Sequence, residues 1–311
     1  MPPPSTLATS SLERSWFGDD VLDLEARAAR SVAATAAHAV GLKVFPAVAR
    51  HLMALLDDPD VTIGALREPI EQDPALAARL LRVANSAAYA PGQPCRSIDE
   101  AVLRLGTQRV KAIVAGITAF GMFPADDAAA HRIRAHGAGV AAILGVLGGE
   151  WRRGWVGDLF LVGLLHDLGK LAAIQVGEMS YERLPVGVDG YPDRVHRYER
   201  LRLGFDHAAL GAAILLGWNF DLEVSQVVAW HHRPGRAYAA GGGVGTAVAL
   251  LRIADRVDFR LRDDPRLDEA FLDELFEHGE VGYVDLSRDV LAAMWPKLVA
   301  AHGELQRVLI D

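Results

Sequence analysis

The chain has 311 residues, 51% of them hydrophobic and 23% charged, so it can bury a sizeable core and is too apolar for a disordered polymer. A formal net charge of −8 argues against a surface built mainly to grip nucleic-acid phosphates, and nucleic acid is disfavoured as a partner. The single cysteine, Cys95, excludes an intramolecular disulfide and a Cys-based zinc site, and it fits a reducing compartment.

The chain opens Met1-Pro2-Pro3-Pro4-Ser5-Thr6, with neither a basic segment nor an apolar core of the signal-peptide kind. Gly, Arg, Lys or His interrupts every apolar stretch before it reaches membrane-spanning length. A cytoplasmic protein with no membrane partner is therefore expected. Residues 1–18 are rich in Pro, Ser and Thr and read as a flexible N-terminus.

From 19 to 123 the pattern is helical. Asp73-Pro74 is a helix cap followed by proline at the first helical position. Leu76, Leu80, Val83 and Ala84 then share one face, with Arg79 and Arg82 on the other. Ser97-Ile98-Asp99-Glu100 has the form of a capping box, Gly106 closes that helix and Thr107 caps the next.

A second helical block covers 124–262, with helices expected at 128–150, 158–176, 206–218, 221–232 and 246–262. The Gly/Pro-rich stretches 184–192 and 233–245 read as loops. A C-terminal extension, 263–311, holds an acidic helix near 267–277 and a last helix near 287–309. Strand signals are scarce, and the expected class is all-α.

Among eleven histidines, some lie on apolar stripes, where an unpaired polar group costs free energy. His136 lines up with Val140, Leu144 and Leu147; His166 with Leu159 and Val162; His207 with Leu210 and Ile214. His231 follows Val224, Val227 and Val228, and Asp255 follows Val248 and Leu251. A buried aspartate needs a cation or several donors. Inward-pointing polar groups from five helices can satisfy one another around metal ions, and imidazole with carboxylate suits Fe, Mn or Zn. The neighbours His166 and Asp167 leave a helix about 100° apart and can flank an ion, the carboxylate bridging two. Adding His232, beside His231, gives seven candidate ligands. His38, His51, His131, His196, His278 and His302 read as ordinary histidines.

The run Leu164-Leu165-His166-Asp167-Leu168-Gly169-Lys170 resembles the core motif of HD-superfamily phosphohydrolases. The order His136, His166-Asp167, His207, His231-His232, Asp255 is similar to the ligand order of the HD-GYP branch. The first half is more specific. Phe45-Pro46, then Asp73-Pro74-Ala75-Leu76, then Arg82-Val83-Ala84-Asn85-Ser86-Ala87-Ala88-Tyr89, then Ser97 through Gly106 resemble the HDOD domain, the HD-related output domain of bacterial signalling proteins. The resemblance covers roughly residues 40–260.

It implies a two-lobed helical fold whose second lobe is an HD-like bundle. It also implies a bacterial regulatory role, here as a stand-alone protein with a signalling protein as partner; a homo-oligomer stays open. Many members have lost the metal ligands, whereas this chain keeps the set. It departs from the HD-GYP pattern where Arg233-Pro234-Gly235-Arg236 follows the paired histidines. The literal Gly190-Tyr191-Pro192 precedes His207 and reads as a turn. Arg132 stands where some relatives place a further carboxylate, which points to at most two ions.

Two functions follow. One is a regulatory module with a structural divalent metal. The other is a metal-dependent phosphohydrolase acting on a nucleotide or cyclic dinucleotide, with Fe, Mn, Zn or Mg as cofactor. In that second case His136, His166, Asp167 and Asp255 hold one ion and Asp167, His207 and His231 another. Asp167 and Lys170 are then the catalytic candidates, and the resemblance turns Lys170 toward the scissile phosphate. The plain alternative is a lysine near a helix C-terminus, where the dipole favours it.

Overall fold

The structure is a computed structural model and describes residues 32, 34–38, 45–86, 89, 93–123, 127–149, 159–182 and 192–310. The expected flexible segment 1–18 and most of the expected loop 184–192 lie outside the described residues. Every regular element among the described residues is a helix.

The first part includes α1 (Ala47–Asp57), α2 (Ile63–Glu71), α3 (Pro74–Ala84), α4 (Ile98–Leu105) and α5 (Thr107–Met122). Asp73 caps α3 by accepting from the backbone N–H groups of Ala75 and Leu76, at 3.1 and 3.0 Å. Ser97 caps α4, accepting from Glu100 N–H at 3.2 Å. Glu100 returns the bond one residue early, accepting from Arg96 N–H at 2.7 Å. Between α4 and α5 the backbone turns at Gly106, at φ 78°, a region where a side chain would be strained. Thr107 is thus the first helical residue of α5 and does not cap it.

The later helices are α6 (Ala128–Leu147), α7 (Leu159–Leu165), α8 (Leu168–Gln175), α9 (Pro192–Leu203), α10 (His207–Gly217), α11 (Leu222–Trp230), α12 (Pro234–Ala240) and α13 (Gly242–Asp263). They are followed by α14 (Glu269–Phe276), α15 (Gly279–Tyr283) and α16 (Arg288–Ile310). Helix α6 is apolar almost all round and sits at the centre, packed against α7, α13 and α16. No described helix is long and apolar enough to cross a membrane.

Besides Thr107, the sequence reading differs from the structure in three places. The helix expected at 158–176 is two helices, α7 and α8, broken at His166-Asp167. The stretch 233–245, read as a loop, contains α12, because Pro234 starts a helix as readily as it ends one. Gly241 and Gly242, both at positive φ, make the turn into α13. Helix α9 was hidden by its polarity, since its sequence PDRVHRYERLRL carries few apolar positions to show a period.

Candidate metal centre

Asp167 lies between α7 and α8 with φ −99° and ψ 10°, off the helical track. The two neighbours sit at this break, His166 in one histidine group and Asp167 between the two. Close packing holds the break in place. A methyl group on Gly169 would overlap the carbonyl oxygen of His207 and come within 2.8 Å of the Gly211 backbone nitrogen. Gly169→Ala is therefore expected to lower stability by about 1–3 kcal/mol in urea unfolding; an unchanged midpoint would show that α8 and α10 do not need this contact.

The other histidines arrive from element ends and centres. His136 lies in mid α6. His207 is the first residue of α10, whose cap Asp206 accepts from Ala209 N–H at 2.9 Å. His231 and His232 follow the end of α11, and Asp255 comes from α13. Two groups form. His136, His166 and Asp255 make one, and His207, His231 and His232 the other; within each, one potential ligand atom per residue lies within 4.8 Å of the rest.

Asp167 stands between the groups. Its Oδ2 is 3.8 Å from His136 Nε2 and 3.7 Å from His166 Nε2, while its Oδ1 is 3.1 Å from His207 Nε2. All seven residues named from the sequence therefore meet in one place, and His232 sits within a group, not beside it.

The far side of each ring decides what the near side offers. His136 Nδ1 is 2.6 Å from the Asp258 carboxylate, and His207 Nδ1 is 2.6 Å from Glu199. His166 Nδ1 is 2.8 Å from the Gly163 carbonyl, and His231 Nδ1 is 2.7 Å from the Val228 carbonyl. Carboxylates and carbonyls only accept, so each of these nitrogens donates. In neutral rings the four Nε2 atoms then carry lone pairs, pointed inward with two carboxylates. His136 Nε2 lies 3.2 Å from His166 Nε2 and 2.9 Å from Asp255 Oδ1. His231 Nε2 and His232 Nδ1 are buried and have no hydrogen-bond partner. Acceptors crowded on acceptors need a cation or extra protons.

The titration behaviour agrees. Burial works to lower His136, but Asp258 and Asp255 outweigh it and raise its pKa to about 9. Burial opposes His207 likewise, and Glu199 and Asp167 raise it to about 9. His231 and His232 are pushed well below the ordinary value by burial and by neighbouring histidines. Burial alone would raise Asp167, yet Lys170, His166 and His207 hold it well below the usual carboxylate range. The carboxylates around His136 and His207 thus favour a positive charge at each ring, which a cation would also supply. The donor set, imidazole nitrogens with carboxylate oxygens, fits a divalent transition metal.

A cavity of about 270 Å³ opens onto the cluster. Arg132, Lys170, Arg262 and Tyr181 are among its lining residues, so three cationic side chains border it. Lys170 Nζ donates to Asp167 Oδ2 at 2.6 Å. Tyr181 donates to the second oxygen of Glu199 at 2.7 Å.

Several residues that matter here read as ordinary or went unnoticed in the sequence. His196 stacks on His232, with ring centroids 4.2 Å apart and planes at 14°. Glu199 belongs to the unforeseen α9. Asp258 lies one turn beyond Asp255, a spacing that could have flagged it. His302 donates to Asp258 Oδ1 at 2.8 Å.

An all-helical chain that draws a histidine–aspartate cluster from several helices onto one cavity defines the class of fold and site. The HDOD domain family matches residues 42–234, and the chain belongs to that family. A protein of Treponema pallidum (strain Nichols) of no established function is 24% identical over 221 residues, covering 68% of this chain. The match spans 41% of that relative's own length.

Among solved structures, a candidate phosphohydrolase from Shewanella amazonensis SB2B aligns with a TM-score of 0.71 at 22% identity, over 92% of this chain and all of that one. A candidate metal-dependent phosphohydrolase from the same organism has a TM-score of 0.61 at 22% identity, over 86% and 91%. An HDOD domain protein of unknown function from Geobacter sulfurreducens has a TM-score of 0.65 at 20% identity, over 90% and 98%. At these identities the likeness speaks for the fold.

Proposed function

We propose that this chain is a signal-transduction protein whose histidine–aspartate cluster holds two divalent metal ions and hydrolyses a phosphoester. One observation carries the reading: four buried rings, each held at Nδ1 by an acceptor behind it, gather with the Asp167 and Asp255 carboxylates in one cluster. His136, His166 and Asp255 would hold one ion and His207, His231 and His232 the other, with Asp167 placed between the two groups. Such ions, when bound, supply an activated water and neutralise phosphoryl oxygens.

The chain's own groups do the rest. Arg132 and Arg262 border the cavity where an anionic ligand enters, and Lys170 sets a positive charge beside Asp167. The acceptors behind the rings fix each tautomer before any ligand arrives.

A second reading, a regulatory module with structural metal that works through a signalling partner, draws on Lys170. Its ammonium donates to Asp167 at 2.6 Å, and a role as that carboxylate's counter-charge accounts for it without a substrate. The test loads purified protein with Mn, Fe or Zn, measures metal content, and assays bis(p-nitrophenyl) phosphate, nucleotides and cyclic dinucleotides. Turnover that depends on metal is expected. Metal-loaded protein without turnover on that panel would leave the regulatory reading, and failure to take up metal would overturn both.

A further inference from the structure

The last helix, α16, lies beyond the residues that the family matches, yet it reaches the cluster. His302, buried on α16, donates from Nε2 to Asp258 Oδ1 at 2.8 Å. Asp258 is fully buried, and its other oxygen accepts from His136 Nδ1 at 2.6 Å. Arg262 Nε closes the arrangement, 2.8 Å from the same Oδ2. Gln306, one turn after His302, donates to the carbonyl oxygen of Ala135 at 3.0 Å, next to His136 in the chain. The chain therefore runs from α16 through Asp258 to an inward-facing ring, with no solvent between.

The sequence makes room for it. A methyl group on Gly139, one turn after His136 on α6, would overlap Asp258 Oδ1 and lie 2.8 Å from His302 Nε2. Glycine inside a helix costs about 0.5–1 kcal/mol relative to alanine, and here that cost leaves space for two buried polar groups. The extension makes a second, independent contact. Arg252 donates to the His231 carbonyl oxygen and to the buried Glu280 of α15, both at 2.8 Å.

We propose that the C-terminal extension is a positioning element of the metal centre, in which His302 orients Asp258 and Asp258 orients the His136 ring. This rests on the metal-binding reading above. His302 touches neither substrate nor metal and acts through Asp258. Partners that orient a ligand imidazole typically control about 10–100-fold in metal affinity.

The experiment measures Zn affinity by chelator competition and the visible spectrum of the Co(II) form. His302→Phe is expected to weaken Zn binding by about tenfold or more and to alter the Co(II) bands. His302→Gln, which restores a donor, is expected to recover most of the affinity. Lys297→Ala, exposed on the same helix, is expected to match wild type. Gly139→Ala, which reaches the network from α6, is expected to weaken binding as His302→Phe does. Should His302→Phe fail to fold, Asp258→Asn carries the same expectation at nearly unchanged volume. Folded variants that hold Zn with wild-type affinity and spectrum would overturn the proposal while leaving metal binding intact. Wild-type protein that takes up no metal would overturn the function on which it rests.

Discussion

Asp167→Ala is expected to bind divalent metal at least about a hundredfold more weakly than the wild-type chain and to lose any turnover. The physical case is its position. Its two oxygens face the two histidine groups, so its removal takes an oxygen donor from each. The same change strips Lys170 and His207 of a close carboxylate, at 2.6 and 3.1 Å. Removing one partner from a buried pair costs about 3–5 kcal/mol, so the metal-free variant should also unfold at lower urea. Chelator competition reads the first effect and urea unfolding in EDTA the second. Wild-type affinity in a folded variant would remove Asp167 from between the ions.

The second large effect is the pH dependence of the metal-free protein. His136 and His207 are both raised from 6.5 to about 9 in the fold. A raised pKa adds stability that is fully present below the unfolded value. That stability fades as pH climbs from 6.5 through 9. Each ring contributes on the order of 3 kcal/mol by this argument, since a tenfold change in proton affinity is about 1.4 kcal/mol. Protein in EDTA should therefore lose several kcal/mol between pH 6.5 and 9. Metal-loaded protein should lose far less, because the ion has already displaced both protons. Urea midpoints at the two pH values, with and without metal, measure this. A flat profile in EDTA would show that His136 and His207 are neutral in the fold.

The helical class was readable because local chemistry wrote it. The Asp73-Pro74 and Ser97–Glu100 starts are caps whose donors and acceptors lie within a few residues, and both form as expected. The ligand candidates were readable for a related reason. A histidine or aspartate on a stripe of Val, Leu and Ile must be buried by the helix that carries it, and a buried polar group needs partners. That argument named five residues, their chain neighbours Asp167 and His232 made seven, and all seven come together.

It missed those with no stripe behind them. Glu199 and His196 sit on the polar α9, where no hydrophobic period marks a helix. His302 belongs to a helix packed on α6, and nothing within its own turn shows that Asp258 lies opposite. The break at His166-Asp167 was likewise invisible, because Leu159 to Gln175 is apolar enough to read as one helix.

The sequence by itself therefore determined the helical class, the caps at Asp73 and Ser97 and the polar side chains that lie on apolar stripes, since these depend on residues a turn or less apart. The tertiary structure decided how the inward groups are shared. It put Asp167 between two histidine groups and set Asp258, Glu199 and two backbone carbonyls behind the rings. It also brought α16 back to His136. Those pairings join residues as far apart as His136 and Asp258, and only the packing of α6 against α13 and α16 brings them within hydrogen-bond reach.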